Sequence, residues 1–332
     1  MQQINTETRT KKNILKLAIG VCGMVGLQIA LAADPYPTKP IRFISQFPPG
    51  GGTDILARLV GPKLTELTGQ LVIVENRTGA AGNMGADYVA KSPSDGYTIL
   101  VANNVIVTNP AIQKTPFNVE KDFAPITVFG AQPIVLAVHR SIGANNLAEF
   151  IAFLKRNPAK FAFSSCGNGT AQHLAGELFK EKAGVDIVHA AYKGCAPAIL
   201  DGLSGEVPII FNTLANVLPH TKDGKLKILA IASTKKSAVD PKIQTMDEAG
   251  LIGFDAEIWY GFLAPAGTPR DVVSKLNDAL RKIILMPDVQ EKLKGLAFNI
   301  HTSTPEEFSG LIRNDLAKWS KLVKDARIQY TP

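Results

Sequence analysis

The sequence predicts an α/β fold built as two lobes with a cleft between them. Three observations carry that expectation. Short apolar runs of β type alternate with stretches of helical period as far as residue 263, and helical stretches fill most of what remains. No Pro/Gly/Ser-rich linker divides the chain, which favours lobes joined by short crossing strands. Two glycine-rich segments, 47–54 and 164–170, each stand between a strand and a helix, one in each proposed lobe.

The elements follow in order. Ile41–Phe47 is a β-type run ended by Pro48-Pro-Gly-Gly-Gly52. Thr53 and Asp54 suit a helix start, and Ile55, Leu56, Leu59, Val60 and Leu64 recur at helical spacing. Leu71–Glu75 is the next strand, Gly79–Gly85 turns into a helix reaching Ala90, and Tyr97–Ala102 reads as a buried strand. These βα units predict parallel sheets with helices on both faces. Ile134–Val138 is a strand and Leu147–Arg156 a helix stopped before Pro158. Phe161–Phe163 leads through Ser164-Ser-Cys-Gly-Asn-Gly169 into a helix over 170–183. Ile187–Ala190, Val207–Phe211 and Leu226–Ile231 are strands, with a helix from Cys195 to Leu203. Trp259–Leu263 looks like a crossing strand, and three helical stretches, 269–285, 289–296 and 305–326, end the chain. Crossings are placed near 130–135 and 256–262. Lobe 1 then takes 33–133 and 258–332, and lobe 2, 134–257, is inserted between them.

The N-terminus carries another signal. Arg9, Lys11, Lys12 and Lys16 face one acid, Glu7, and Leu17 to Leu31 is apolar apart from Gln28. Ala30-Leu31-Ala32 supplies small residues at a cleavage site. That order is a secretory signal peptide over 1–32, and its apolar stretch falls short of the roughly 20 residues a spanning helix needs. Val21 before Cys22 is too large for the usual lipoprotein pattern. The mature protein is expected in the periplasm.

Composition sets bounds. Removing residues 1–33 leaves about 300 residues, enough for two domains. The formal charge falls from +7 to +4, because four basic residues and one acid leave. The remaining Lys and Arg are spread along the chain, so neither a nucleic-acid patch nor a polybasic membrane tail is present. With 45% apolar residues the chain has the material for a core. Cys166 and Cys195 form an even pair in an oxidising compartment, either bridged or left as two buried thiols.

Phe47-Pro-Pro-Gly-Gly-Gly-Thr-Asp54 is the most informative segment. Three glycines bare backbone N–H groups at a helix start, where unpaired donors and the helix dipole favour an anion. The segment lacks the Gly-Lys-Ser/Thr ending of a phosphate loop and the G-x-G-x-x-G spacing of a dinucleotide site. A carboxylate fits better. Ser164-Ser-Cys-Gly-Asn-Gly-Thr-Ala-Gln-His173 is the second such loop, with Thr170 as a cap. Ligands of open α/β sheets bind outside the carboxyl ends of strands, where both loops lie. Asn103, after a buried strand, can donate an amide bond to a ligand or simply turn the chain. Tyr192 and Lys193 follow another strand. Trp259 and Tyr260 either wall the cleft or fill the core.

Catalytic patterns do not assemble. His139, His173, His189, His220 and His301 never pair at metal spacing, and neither H-E-x-x-H nor G-x-S-x-G occurs. Cys166 and His173, on one loop-helix junction, do not make a convincing thiol dyad. No metal, no cofactor and no enzymatic activity is expected.

Tyr36-Pro-x-Lys-Pro-Ile41, the 47–54 segment, Val74-Glu-Asn-Arg77 with Gly79 to Gly85, and Ser92-Pro-x-Asp-Gly-Tyr-Thr98 together resemble the Bug (Bordetella uptake gene) receptors. Gly167–Glu177, Tyr192-Lys-Gly194, Gly261–Pro269 and the C-terminal helices match as well. These receptors are the substrate-binding proteins of tripartite tricarboxylate transporters, and the likeness covers nearly all of the mature chain. It implies a type II periplasmic-binding-protein fold that captures a small carboxylate and delivers it to integral membrane transporter subunits. Carried over by position, the ligand contacts are Phe47, Gly51, Gly52, Thr53 and Asp54 from one lobe, and Ser165, Gly169, Thr170, Ala171 and His173 from the other. Cys166 and Cys195 depart from the small residues the family has there. The expected protein is a monomer. The competing classes are a receptor feeding a sensor or another transporter, and an exported hydrolase needing a nucleophile–base pair in the cleft.

Overall fold

Among the described residues, ten strands form two sheets. Along the chain come β1 (Ile41–Ser45), β2 (Val72–Asn76), β3 (Thr98–Asn103) and β4 (Phe123–Gln132). They are followed by β5 (Ile134–His139), β6 (Ala162–Ser165), β7 (Val188–Ala191), β8 (Ile209–Thr213), β9 (Leu226–Ile231) and β10 (Ile258–Pro265). The first sheet runs β2-β1-β3-β10-β4 and the second β7-β6-β8-β5-β9. The computed structural model describes residues 36–328. The segment read as a signal peptide, Cys22 included, lies outside the described residues. The body of the protein begins at Lys39.

The expectation of parallel sheets holds for half of each. β1 is parallel to β2 and β3, and β6 to β7 and β8. β10 is antiparallel to β3 and β4, and β5 to β8 and β9. The exceptions are the strands beside the crossings. One residue, Pro133, separates β4 in the first sheet from β5 in the second. Such a crossing cannot loop back as a βαβ unit does. On the return, Ala256 donates to Ala232 of the second lobe, and Ile258 already pairs with Gln132 of the first.

The central strands form because they are buried on both faces. Ile99, Leu100, Val101 and Ala102 of β3 are at most 1% exposed, and all of β8 and β10 is buried. Phe43, Phe129 and Phe262 meet edge-on or tilted between the central strands, each worth about 2–3 kcal/mol on burial. Helices cover the faces. α1 (Gly52–Thr68) closes on Gly69, whose left-handed φ of 72° lets its N–H reach the Thr65 carbonyl. α2 (Asn83–Ala90) and α3 (Val105–Ile112) also belong to the first lobe. The second lobe carries α4 (Leu147–Lys155), α5 (Ala171–Ala183), α6 (Cys195–Ser204) and the single turn α7 (Leu214–Val217). α8 (Arg270–Ile284), α9 (Pro287–Gly295) and α10 (Pro305–Asp325) return to the first sheet. α10 starts on a capping box between Thr304 and Glu307 with Pro305 in its first turn. No helix among the described residues is long and apolar enough to cross a membrane.

Candidate functional site

Both glycine loops rise from the carboxyl ends of parallel strands, as the pattern predicts. The first leaves β1 and enters α1. Pro48 accepts the Gly51 N–H at 3.0 Å, and Gly50 turns with a φ of +82°. Asp54 is 3% exposed and faces inward. Its Oδ2 accepts the Gly50 N–H at 2.9 Å, and its Oδ1 accepts Arg58 Nε at 3.0 Å and Asn76 Nδ2 at 2.8 Å. Burial opposes its charge, but these bonds together hold its pKa below the usual carboxylate value. Asp54 therefore braces the loop from behind. The Thr53 hydroxyl is likewise engaged, 2.7 Å from Ser45 Oγ and fully buried.

The second loop leaves β6 and enters α5. Thr170 donates to the Gly167 carbonyl at 2.8 Å and accepts the His173 N–H at 3.3 Å, so its hydroxyl proton is already placed. Ser165 is fully buried; its Oγ bonds the Gly167 N–H and carbonyl, and lies 2.7 Å from His189 Nε2. A serine and a histidine at that distance have the spacing of a nucleophile and base. Here the oxygen lies beneath the loop, closed off from any substrate carbonyl. His173 accepts the Gly169 N–H at Nδ1, 3.0 Å away. Cys166 and Cys195 are joined in a disulfide with Cα atoms 4.3 Å apart, and Gly194 donates to the Cys166 carbonyl at 3.1 Å. This ties the second loop to the turn after β7. Tyr192 in that turn gives its hydroxyl to Asp201 at 2.6 Å, and burial with the Asp201 charge pushes it up to about 12.

What these bonds leave over is backbone. Among the described residues, the N–H groups of Gly52, Thr53 and Asp54 at the start of α1, and of Ala171 and Gln172 at the start of α5, have no hydrogen-bond partner. Neither loop contains Lys or Arg, and Lys193 is exposed. The lobes approach each other here: a Cβ on Gly169 would stand 3.0 Å from Ile112, at the end of α3 in the first lobe. Asn103 sits at the end of β3, its Oδ1 accepting the Val105 N–H that opens α3. Trp259 and Tyr260 are core residues, 4% and 5% exposed; Trp259 donates to Asp315 at 2.7 Å.

Sequence reasoning gave no supporting role to Ser45, Arg58, Asn76 or His189, and read 79–85 only as a turn into a helix. Gly79, Ala80, Ala81 and Gly82 all have positive φ, a strained run that leans on the first loop. Gly82 stands near Phe47, and Asn109 holds the Ala81 carbonyl at 2.9 Å. Asn76 was marked only as part of the Val74-Glu-Asn-Arg77 motif.

The model of the tripartite tricarboxylate transporter family receptor matches residues 56–328. Protein BugT of Bordetella pertussis is 34% identical over 303 residues, 90% of this chain and 93% of its own. A TctC solute binding protein from Polaromonas, solved without ligand, is 30% identical with a TM-score of 0.79, covering 87% of this chain and 99% of that one. An R. palustris protein solved with adipate is 30% identical with a TM-score of 0.74, covering 89% and 99%.

Proposed function

Since the chain belongs to the receptor family of the tripartite tricarboxylate transporters, we propose that it captures a small dicarboxylate in the periplasm and presents it to the transporter's membrane subunits. The observation that carries this reading is the pair of helix starts, one in each lobe, whose backbone donors are unpartnered while the surrounding hydroxyls are not. One carboxylate would rest on the N–H groups of 52–54 and the other on those of 171–172. Each hydrogen bond to a charged oxygen is worth roughly 1.5–3 kcal/mol. Phe47, Gly51, Asn103, Ser165, Gly169, Thr170 and Tyr192 shape the walls, most of them through backbone. The relative that holds adipate supports two carboxylates over one.

The division into 33–133 with 258–332, and 134–257, is part of the same reading, supported by the chain's passage from one sheet to the other after Gln132. The solute is held without chemistry, by a monomer, exported after cleavage beside Ala33. Intact mass of the secreted protein is expected to start at Ala33 and to lack the hydrogen of two thiols, as the Cys166–Cys195 bridge requires. Retention of residues 1–32, or a lipid on Cys22, would refute simple release.

A thermal-shift screen tests the ligand class. Adipate and shorter dicarboxylates are set against adipamide, a monocarboxylate and simple sugars. A dicarboxylate at about 100 times its Kd should add about 2.7 kcal/mol of stability. Adipamide keeps the shape without the charge and should add none. A shift with sugars or adipamide, and none with any carboxylate, overturns the reading.

A further inference from the structure

The second glycine loop stands on two histidines. His173, in the first turn of α5, accepts the Gly169 N–H at Nδ1 over 3.0 Å. His189, on β7, places Nε2 2.7 Å from Ser165 Oγ, and that oxygen accepts the Gly167 N–H at 3.2 Å. The two rings lie face to face, their centroids 3.7 Å apart and their planes within 8°. Phe163 stacks against His189 with centroids 4.9 Å apart. Both ends of the loop, Ser165 and Gly169, are therefore tied to one aromatic stack.

The stack works only with uncharged rings. A protonated imidazole has no lone pair at Nδ1, so the bond from Gly169 requires neutral His173 with its proton on Nε2. Two facing imidazolium rings would also repel. Burial foremost, then the neighbouring His189 and Lys180, brings His173 down to about 3; burial and Lys180 bring His189 down to about 4. Glu177 does not reverse this. It lies 3.9 Å from His173 Nε2 and is taken by Lys180 at 2.9 Å.

We propose that the His173–His189 stack is the positioning element of the second glycine loop, and that His173 acts through Nδ1 as a neutral acceptor, with no contact to the solute. By taking the Gly169 N–H and anchoring Ser165, the stack sets the backbone that leaves the Ala171 and Gln172 donors unpartnered. The binding half of this inference rests on the cleft reading above; the structural half does not.

Two amides separate the acceptor from mere bulk. Asparagine at position 173 puts an oxygen where Nδ1 stands, whereas glutamine puts one nearer Nε2. In ligand-free protein, hydrogen exchange at the Gly169 amide is expected within about threefold of wild type for His173→Asn and at least about tenfold faster for His173→Gln. Amides of β5 should be unchanged in both. With adipate as the probe, Kd should follow the same order, near wild type for His173→Asn and at least about tenfold weaker for His173→Gln. If His173→Gln does not fold, Ser165→Ala takes its place and is expected to speed exchange at Gly167. Equal Gly169 exchange in the two His173 variants, or unchanged Gly167 exchange in Ser165→Ala, overturns the proposal. The exchange measurements need no ligand and decide the matter whether or not wild type takes adipate; failure to bind adipate bears on the dicarboxylate reading alone.

Discussion

Alanine at position 52 is expected to abolish solute capture. A Cβ there would stand 2.6 Å from the Tyr260 hydroxyl oxygen, 2.8 Å from its Cε1 and 2.9 Å from its Cζ, inside any van der Waals contact. Tyr260 has nowhere to go. It is 5% exposed, its hydroxyl donates to Gln132 at 2.8 Å, and its ring packs on Phe298 with centroids 5.1 Å apart. Gln132 is itself fixed by the Leu296 carbonyl at 3.1 Å. The start of α1 must move instead, and it carries the donors of 52–54. Overpacking of this kind costs about 1–3 kcal/mol of stability. Losing two charge-assisted hydrogen bonds corresponds to a Kd at least ~100-fold weaker. Titration calorimetry on the solute found by the screen measures it. Gly69→Ala, at the far end of the same helix, is the control: its φ is +72° with open space around it, so it should cost stability and leave Kd alone. An unchanged Kd in Gly52→Ala would mean that the solute does not rest on this helix start.

The glycines of this loop were legible in the sequence because the demand on them is local. A strand run, a block of glycines and a helical period can be read from spacing alone. The hydroxyls and carboxylate beside them were not, because their partners are distant in sequence. Thr53 finds Ser45, Asp54 finds Asn76, and Ser165 finds His189. The family likeness marks Asp54 and His173 by position; that they also brace their loops follows from bonds to Gly50, Asn76 and Gly169, which the likeness does not specify.

Besides the single turn α7, β4 and α3 escaped notice for identifiable reasons. β4 contains Pro125 and Gly130, which break a strand pattern. Each falls at a register irregularity with β10, where Ile126 and Phe129 are skipped, so the ladder tolerates both. α3 is rich in β-branched residues and includes Pro110, which reads as strand or loop. It is helical because Ile106 and Val107 are buried and Asn109 bonds Ala81 and Asn83. The family pattern was legible where the propensities were not, since it spans motifs in both lobes. β5 and β10 pair antiparallel with their neighbours, a long-range arrangement that spacing does not encode.

Glutamine at position 257 is expected to make the protein less sensitive to rising pH. Glu257 lies at the second crossing, just before β10, in a small polar cavity with Lys235, Asp255, His301, Asp315 and Lys318. Burial first, and the nearby Asp255 charge second, raise its pKa from 4.5 to about 7, against bonds from Asn299 and Ser233. The Asn299 amide reaches its Oε1 at 3.0 Å and accepts the Ala238 N–H with its own oxygen, so the group sits in a link between the lobes. The direction of the pH effect follows from which state holds the proton. Below pH 4.5 both folded and unfolded chains keep it, and Glu257 contributes its full stability. Between 4.5 and about 7 the unfolded chain releases the proton while the folded chain retains it, so unfolding gains. Above about 7 both are ionised and the contribution is gone, a loss of at most about 3 kcal/mol. Glu257→Gln cannot ionise, yet keeps an oxygen for Asn299. Its stability relative to wild type should therefore climb from pH 4.5 to 7.5 by up to that amount. Urea unfolding at several pH values, followed by tryptophan fluorescence, measures the difference. Parallel stability curves for the two proteins would show that Glu257 ionises as freely folded as unfolded, and that the cavity at the crossing is wet and open.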